Sequence, residues 1–210
     1  MTVRVLLADD HALFAQSIAH LLAERYEVVE VVADGKALRA AALAHKPDVI
    51  VTDITMPQMS GLDGIRSLRK NSYAPKVVFL TMHRDTELAR ECFNSGGSAF
   101  VTKDSGFDEL LTAIDAVMRN QQYVSPSLAS ELLESSKEHA TTGEERDLLT
   151  TRQREILQLF AEGKTMKEIA SITNLSTRTV EWHKYRMMQM LKVRRSAELV
   201  QRAVKMKLVT

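Results

Sequence analysis

In the first half of the chain, chemically useful side chains stand where apolar runs stop. Asp9 and Asp10 follow the first run, Asp53 ends the third, Thr81 ends the fourth and Lys103 follows the fifth. Carboxylates crowded together repel and raise one another's pKa values. A hard divalent cation relieves that conflict, and Mg²⁺, with oxygen ligands and retained waters, suits the set Asp9, Asp10 and Asp53. Lys103 can neutralise further negative charge, and Thr81 offers a hydroxyl. Such a group suits phosphoryl transfer onto a carboxylate, with Asp53 as the one central nucleophile. Catalysis of that step is mainly positioning and charge neutralisation. His11 and His83 flank the same crevice. They read as ordinary loop and helix-start residues, because an oxygen-rich site suits Mg²⁺ better than metals that favour imidazole.

The elements that must bring these residues together can be read from hydrophobic patterning. Short apolar runs at 3–8, 28–33, 48–53, 76–81 and 99–102 predict strands, the one ending at Asp53 buried on both faces. Helical periodicity lies between and after them, at 13–25, 36–45, 62–71, 86–95 and 107–119. Five βα units predict an α/β fold with a doubly wound, five-stranded parallel sheet and right-handed crossovers. In such a sheet ligands bind at the carboxyl ends of the strands, where all the residues named above would meet. No Gly-x-Gly-x-x-Gly follows the first strand and no Walker loop is present, so nucleotide binding has no support.

Charge divides the chain. Residues 1–146 carry 15 Lys and Arg against 21 Asp and Glu, a balance of −6; residues 147–210 carry 13 against 6, a balance of +7. An acidic N-terminal domain and a basic, nucleic-acid-binding C-terminal one are expected. The single Cys92 excludes a disulfide framework or a multi-cysteine zinc site and reads as a small buried hydrophobe. No secretory signal or membrane-length apolar run is evident, so a cytoplasmic protein is expected. The polar stretch 121–146 reads as a linker, with a short helix possible at 128–133.

Residues 1–120 resemble the receiver domain of two-component response regulators. The resemblance rests on Asp9-Asp10, on Asp53 followed by Met56-Pro57 and Gly61, and on Thr81 and Lys103. It implies a flavodoxin-like fold in which Asp53 takes phosphate from a sensor histidine kinase. Asp10, Asp53 and the backbone carbonyl of Thr55 would hold Mg²⁺, with Asp9 completing the acidic pair. Thr81 would turn toward the phosphoryl group, and Phe100 would occupy the aromatic switch position. Asp104 follows the lysine where relatives often carry proline.

Residues 147–210 predict four helices. Thr150 to Gln153 and Thr165 to Glu168 have capping-box spacing, Gly163 ends the first helix, and Ser176 can cap a helix at 177–191. A short helix, a tight turn at Asn174-Leu175 and a longer basic helix form a helix-turn-helix signature. Phasing at roughly 100° per residue puts Val180, Met187 and Leu191 on the core side, with Arg178, Trp182, Tyr185 and Gln189 opposite. Arg178, Lys184 and Arg186 suit phosphate contacts; Glu181, Trp182 and Tyr185 suit base edges. This half resembles the LuxR-type helix-turn-helix through Arg152-Gln153-Arg154-Glu155-Ile156-Leu157, Lys167-Glu168-Ile169-Ala170, Thr179-Val180 and His183. The resemblance adds Thr179 to the expected DNA-facing residues.

The order receiver, linker, LuxR-type domain is that of NarL/FixJ response regulators. It implies a phosphorylation-dependent transcription factor that binds double-stranded DNA and dimerises on phosphorylation. It would not be a turnover enzyme, since its catalysis is limited to its own phosphorylation and dephosphorylation. Two rivals remain open here. An aspartyl-phosphate phosphatase would need an acid where Thr55 stands, and a DNA binder indifferent to phosphate would use the first domain only to dimerise.

Overall fold

A computed structural model describes residues 2–69, 73–82, 85–129, 149–206 and 208–209. The chain divides into two compact units, Met1–Ser136 and Lys137–Thr210.

The first unit alternates strands and helices: β1 Arg4–Ala8, α1 Ala12–Ala23, β2 Glu27–Val32, α2 Gly35–His45, β3 Val49–Asp53, α3 Gly61–Arg69, β4 Lys76–Thr81, α4 Thr86–Asn94, β5 Ala99–Thr102, α5 Phe107–Met118 and β6 Tyr123–Val124. The sheet runs β2-β1-β3-β4-β5-β6, and every pairing is parallel. Parallel sheets need cover on both faces, and the central strands have it. Val5, Leu7, Val51, Leu80 and Val101 pack on one side with Ile18 and Leu22 of α1 and Ile114 and Val117 of α5. Their strand neighbours Leu6, Ile50, Phe79 and Phe100 are equally buried. Cys92 lies in α4 and is fully buried, as read from the sequence.

The sheet differs from the five-stranded expectation by one short strand. Residues 123–124, assigned to the linker by their polarity, pair with Ala99 and Phe100. Asn120, at φ 61°, lets the chain turn back after α5. Tyr123 then donates to the Ser98 carbonyl at 3.1 Å, and Ser125 to the Phe100 carbonyl at 3.0 Å. These residues cover backbone groups of β5 that would otherwise form an open edge. Residues 126–129 are helical; the rest of the helix suggested at 128–133 lies outside the described residues.

The loop after β3 is held by close backbone approach. Gly61 donates to the Ile54 carbonyl at 3.0 Å. A Cβ on Gly61 would lie 2.0 Å from the Asp53 carbonyl oxygen and 2.4 Å from Thr52 Oγ1. Gly61→Ala therefore has to displace the tip of β3 itself. A loss of about 1–3 kcal/mol is expected in urea unfolding of the first unit, together with a shift of Asp53.

The second unit contains α6 Thr151–Ala161, α7 Met166–Thr173, α8 Thr177–Met190 and α9 Ser196–Lys205. Both capping boxes form: Thr150 with Gln153, and Thr165 with Glu168. Asn174 adopts the left-handed conformation at φ 53°, and Ser176 Oγ accepts from the Thr179 amide at 2.9 Å. Ile156, Leu157, Ile169, Val180, Met187, Leu191 and Leu199 form one core. Among the described residues, no helix is long and apolar enough to cross a membrane.

Candidate functional site

Strand register brings the reactive residues of the first unit to one rim. Ala8 pairs with Thr52, so Asp9 and Asp53 leave neighbouring strands side by side. Asp53 pairs with Leu80 and Thr81 with Thr102, which places Thr81 and Lys103 next along the rim. The order of the sheet reverses between β1 and β3, where open α/β sheets form their binding crevice.

Lys103 ties the acids together. Its Nζ lies 2.6 Å from Asp9 Oδ2 and 2.8 Å from Asp53 Oδ2, with the lysine side chain only 3% exposed. Asp53 is buried, and its Oδ1 accepts from the Thr55 amide at 3.3 Å. Burial pushes the Asp53 carboxyl above its ordinary value, Lys103 opposes that rise, and the Asp9 charge adds to it. Thr81 is buried, and its carbonyl accepts from the Lys103 amide at 2.6 Å. Phe100 is fully buried between Phe79 of β4 and Val124 of β6.

No proline is needed to aim the lysine. Ser105 closes a turn onto the Thr102 carbonyl through its amide at 3.1 Å and its hydroxyl at 2.6 Å. Asp104 occupies the exposed middle of that turn.

His11 precedes α1 as its N-cap residue, the helix-start place read from the sequence, and its ring also reaches the acidic rim. Its amide donates to Asp9 Oδ1 at 2.9 Å. Its Nδ1 lies 3.1 Å from Asp9 Oδ1, 3.4 Å from Asp10 Oδ1 and 3.9 Å from Asp53 Oδ2. Asp9, Asp10, His11 and Asp53 each bring one donor atom to within 4.8 Å of the others, an arrangement able to hold a metal ion. His83 lies outside the described residues.

In the second unit the helix-turn-helix presents α8. Val180, Met187 and Leu191 are buried, as phasing predicts. Glu181, Tyr185 and Gln189 are exposed, while Arg178, Trp182, Lys184 and Arg186 are half-buried. Thr179 corrects an expectation: it is 2% exposed, and its hydroxyl lies 2.9 Å from Ser176 Oγ. It sits on the core side of the first helical turn, so it supports the cap and does not face DNA. His183 is also buried, with the Trp182 ring edge-on to it at 4.8 Å. Lys184 Nζ rests over the Phe160 ring at 5.1 Å, which directs its charge. Arg152 bonds the Thr173 carbonyl and pairs with Glu155 at 2.6 Å, anchoring α7 to α6.

Such a sheet with its lysine-bridged acidic rim, followed by a capped helix-turn-helix unit, defines a signalling protein that carries its own DNA reader. Residues 5–115 match the family described as response regulator receiver domain, and residues 147–203 match bacterial regulatory proteins of the luxR family. The chain is 32% identical over 215 residues to the oxygen regulatory protein NreC of Staphylococcus carnosus, covering 99% of each. A LuxR-family two-component response regulator from Aurantimonas sp. SI85-9A1 superposes with a TM-score of 0.63 at 31% identity, over 66% of this chain and all of the other. RcsB of Salmonella enterica serovar Typhimurium, bound to promoter P1flhDC with a phosphomimetic, gives a TM-score of 0.61 at 25% identity, over 96% of this chain and 97% of the other. The chain belongs to the DNA-binding response regulators that join a receiver domain to a LuxR-type helix-turn-helix domain.

Proposed function

We propose that a sensor histidine kinase phosphorylates Asp53 and that this modification controls dimerisation and promoter binding. The observation that carries the reading is the buried lysine between two buried carboxylates, Lys103 with Asp9 and Asp53. An Asp53 oxygen attacks phosphorus as the kinase's phosphohistidine N–P bond breaks, and imidazole leaves. Lys103 then moves from carboxylate to phosphoryl oxygens, and Thr81 turns its hydroxyl toward them. The added charge, close to −2, shifts an equilibrium that includes Thr81, Phe100 and α4.

The residues also fit Mg²⁺. Asp10, Asp53 and the Thr55 carbonyl would hold it, with Asp9 beside them, and the clustered donors match a hard cation's needs. Bound there, Mg²⁺ would supply charge neutralisation for the phosphoryl oxygens.

The working division is a receiver at 1–120, a join at 121–146 and a DNA-binding domain at 147–210. Arg178, Lys184 and Arg186 meet DNA phosphates, while Glu181, Trp182 and Tyr185 reach base edges. Dimers read paired half-sites on promoter DNA, which places the protein in the cytoplasm. Its only catalysis is its own phosphorylation and dephosphorylation.

Footprinting and sizing with and without acetyl phosphate and MgCl₂ test this reading. A footprint at lower protein concentration and a shift from monomer to dimer are expected on phosphorylation. Equal affinity and equal size would instead favour a DNA binder indifferent to phosphate.

A further inference from the structure

His11 has no part in the phosphotransfer reading, yet its Nδ1 lies 3.9 Å from Asp53 Oδ2. Ligands placed octahedrally at about 2.1 Å stand about 3.0 Å apart when neighbouring and about 4.2 Å apart when opposite. His11 Nδ1, at 3.1, 3.4 and 3.9 Å from oxygens of Asp9, Asp10 and Asp53, falls within that spacing. Its backbone N–H donates a hydrogen bond to Asp9 Oδ1, and its ring Nδ1 lies against the same oxygen, so the ring is held over the acids. The ring is 58% exposed. Coordination through Nδ1 would exchange one hydrogen bond to Asp9 for a metal bond and leave an Nε2 proton facing water.

We propose that His11 Nδ1 is a metal ligand and that it biases this centre toward first-row transition cations that favour imidazole, such as Co²⁺ and Zn²⁺, over Mg²⁺. The inference rests on the reading of the acidic rim as the receiver's metal centre. Mg²⁺ binds oxygen donors and retains water, and gains little from imidazole. Cobalt and zinc gain a strong nitrogen ligand. An all-oxygen rim lacks that discrimination.

Calorimetry on the full chain with CoCl₂ and with MgCl₂ tests it, using wild type, His11→Ala, His11→Gln and Asp53→Asn. Both His11 variants are expected to bind Co²⁺ at least about tenfold more weakly, with the Mg²⁺ affinity changed by less than about threefold. X-ray absorption of the Zn²⁺-loaded wild type is expected to show imidazole scattering that disappears in His11→Ala. Parallel changes for both cations, or imidazole scattering that persists without His11, would overturn the inference and leave the metal centre intact. Undiminished affinity for both cations in Asp53→Asn, which removes the carboxylate charge, would overturn the metal centre itself, and this inference with it. Circular dichroism confirms that each variant is folded.

Discussion

Lys103→Met is expected to destabilise the first unit by about 3–5 kcal/mol at neutral pH without divalent cations, the cost of leaving buried charge unpaired. Asp9 and Asp53 have side chains only 0% and 7% exposed, and Lys103 is the cation between them. Burial already raises the Asp53 carboxyl above 3.8, with Lys103 the largest opposing influence. Without the lysine, the rise grows. A carboxyl whose folded pKa lies above its unfolded value binds more protons in the folded state between the two values. Stability is then full below the unfolded value and is lost as pH rises through the folded one. The variant should therefore regain stability on acidification toward the ordinary carboxylate range, and also on addition of MgCl₂. Urea titration followed by circular dichroism checks both. Trp182, the only tryptophan, lies in the second unit, so its fluorescence is an internal reference expected not to move. A variant as stable as wild type at neutral pH would contradict the buried ion-pair arrangement.

The second large effect concerns DNA. Replacing Arg178, Lys184 and Arg186 together with alanine should lower the slope of log affinity against log salt by about 2.7, at roughly 0.9 for each lost phosphate contact. The loss should be similar for cognate and unrelated sequences, since phosphates carry no sequence information. Tyr185→Ala or Glu181→Ala should act differently. Each should cost about 1–3 kcal/mol on the cognate site alone and relax preference at one base position. Tyr185 is 57% exposed, so its loss should leave the fold intact. Binding measured at three salt concentrations separates the two classes. An unchanged salt slope in the triple variant would move the DNA-binding face away from α8.

Much of the fold was legible because long apolar runs and capping residues are local signals. The strand ending at Asp53, the boxes at Thr150 and Thr165 and the buried face of Val180, Met187 and Leu191 all follow from patterns within a dozen residues. The strand at Tyr123–Val124 was not legible. Two residues carry no period, and they form a strand only because β5 offers them a partner. Thr179 was misplaced for a related reason. Its motif marks a position in the helix, whereas its hydroxyl is claimed by the Ser176 cap at the start of that helix. The acidic rim was legible as separate strand ends, but its bridging was not. That Lys103 joins Asp9 to Asp53 depends on register between strands far apart in sequence, and so does the approach of His11 to Asp53, whereas its contact with Asp9 is local. The turn that aims Lys103 without proline depends on Ser105, whose role becomes visible only once Thr102 is placed.

The most direct test is the intact mass and peptide map of the full chain after incubation with acetyl phosphate and MgCl₂. One phosphoryl group on Asp53 is expected in the wild type, with none in a folded Asp53→Asn variant. A phosphoryl group on another residue of the wild type, or undiminished uptake by Asp53→Asn, would contradict the assignment of Asp53 as the acceptor.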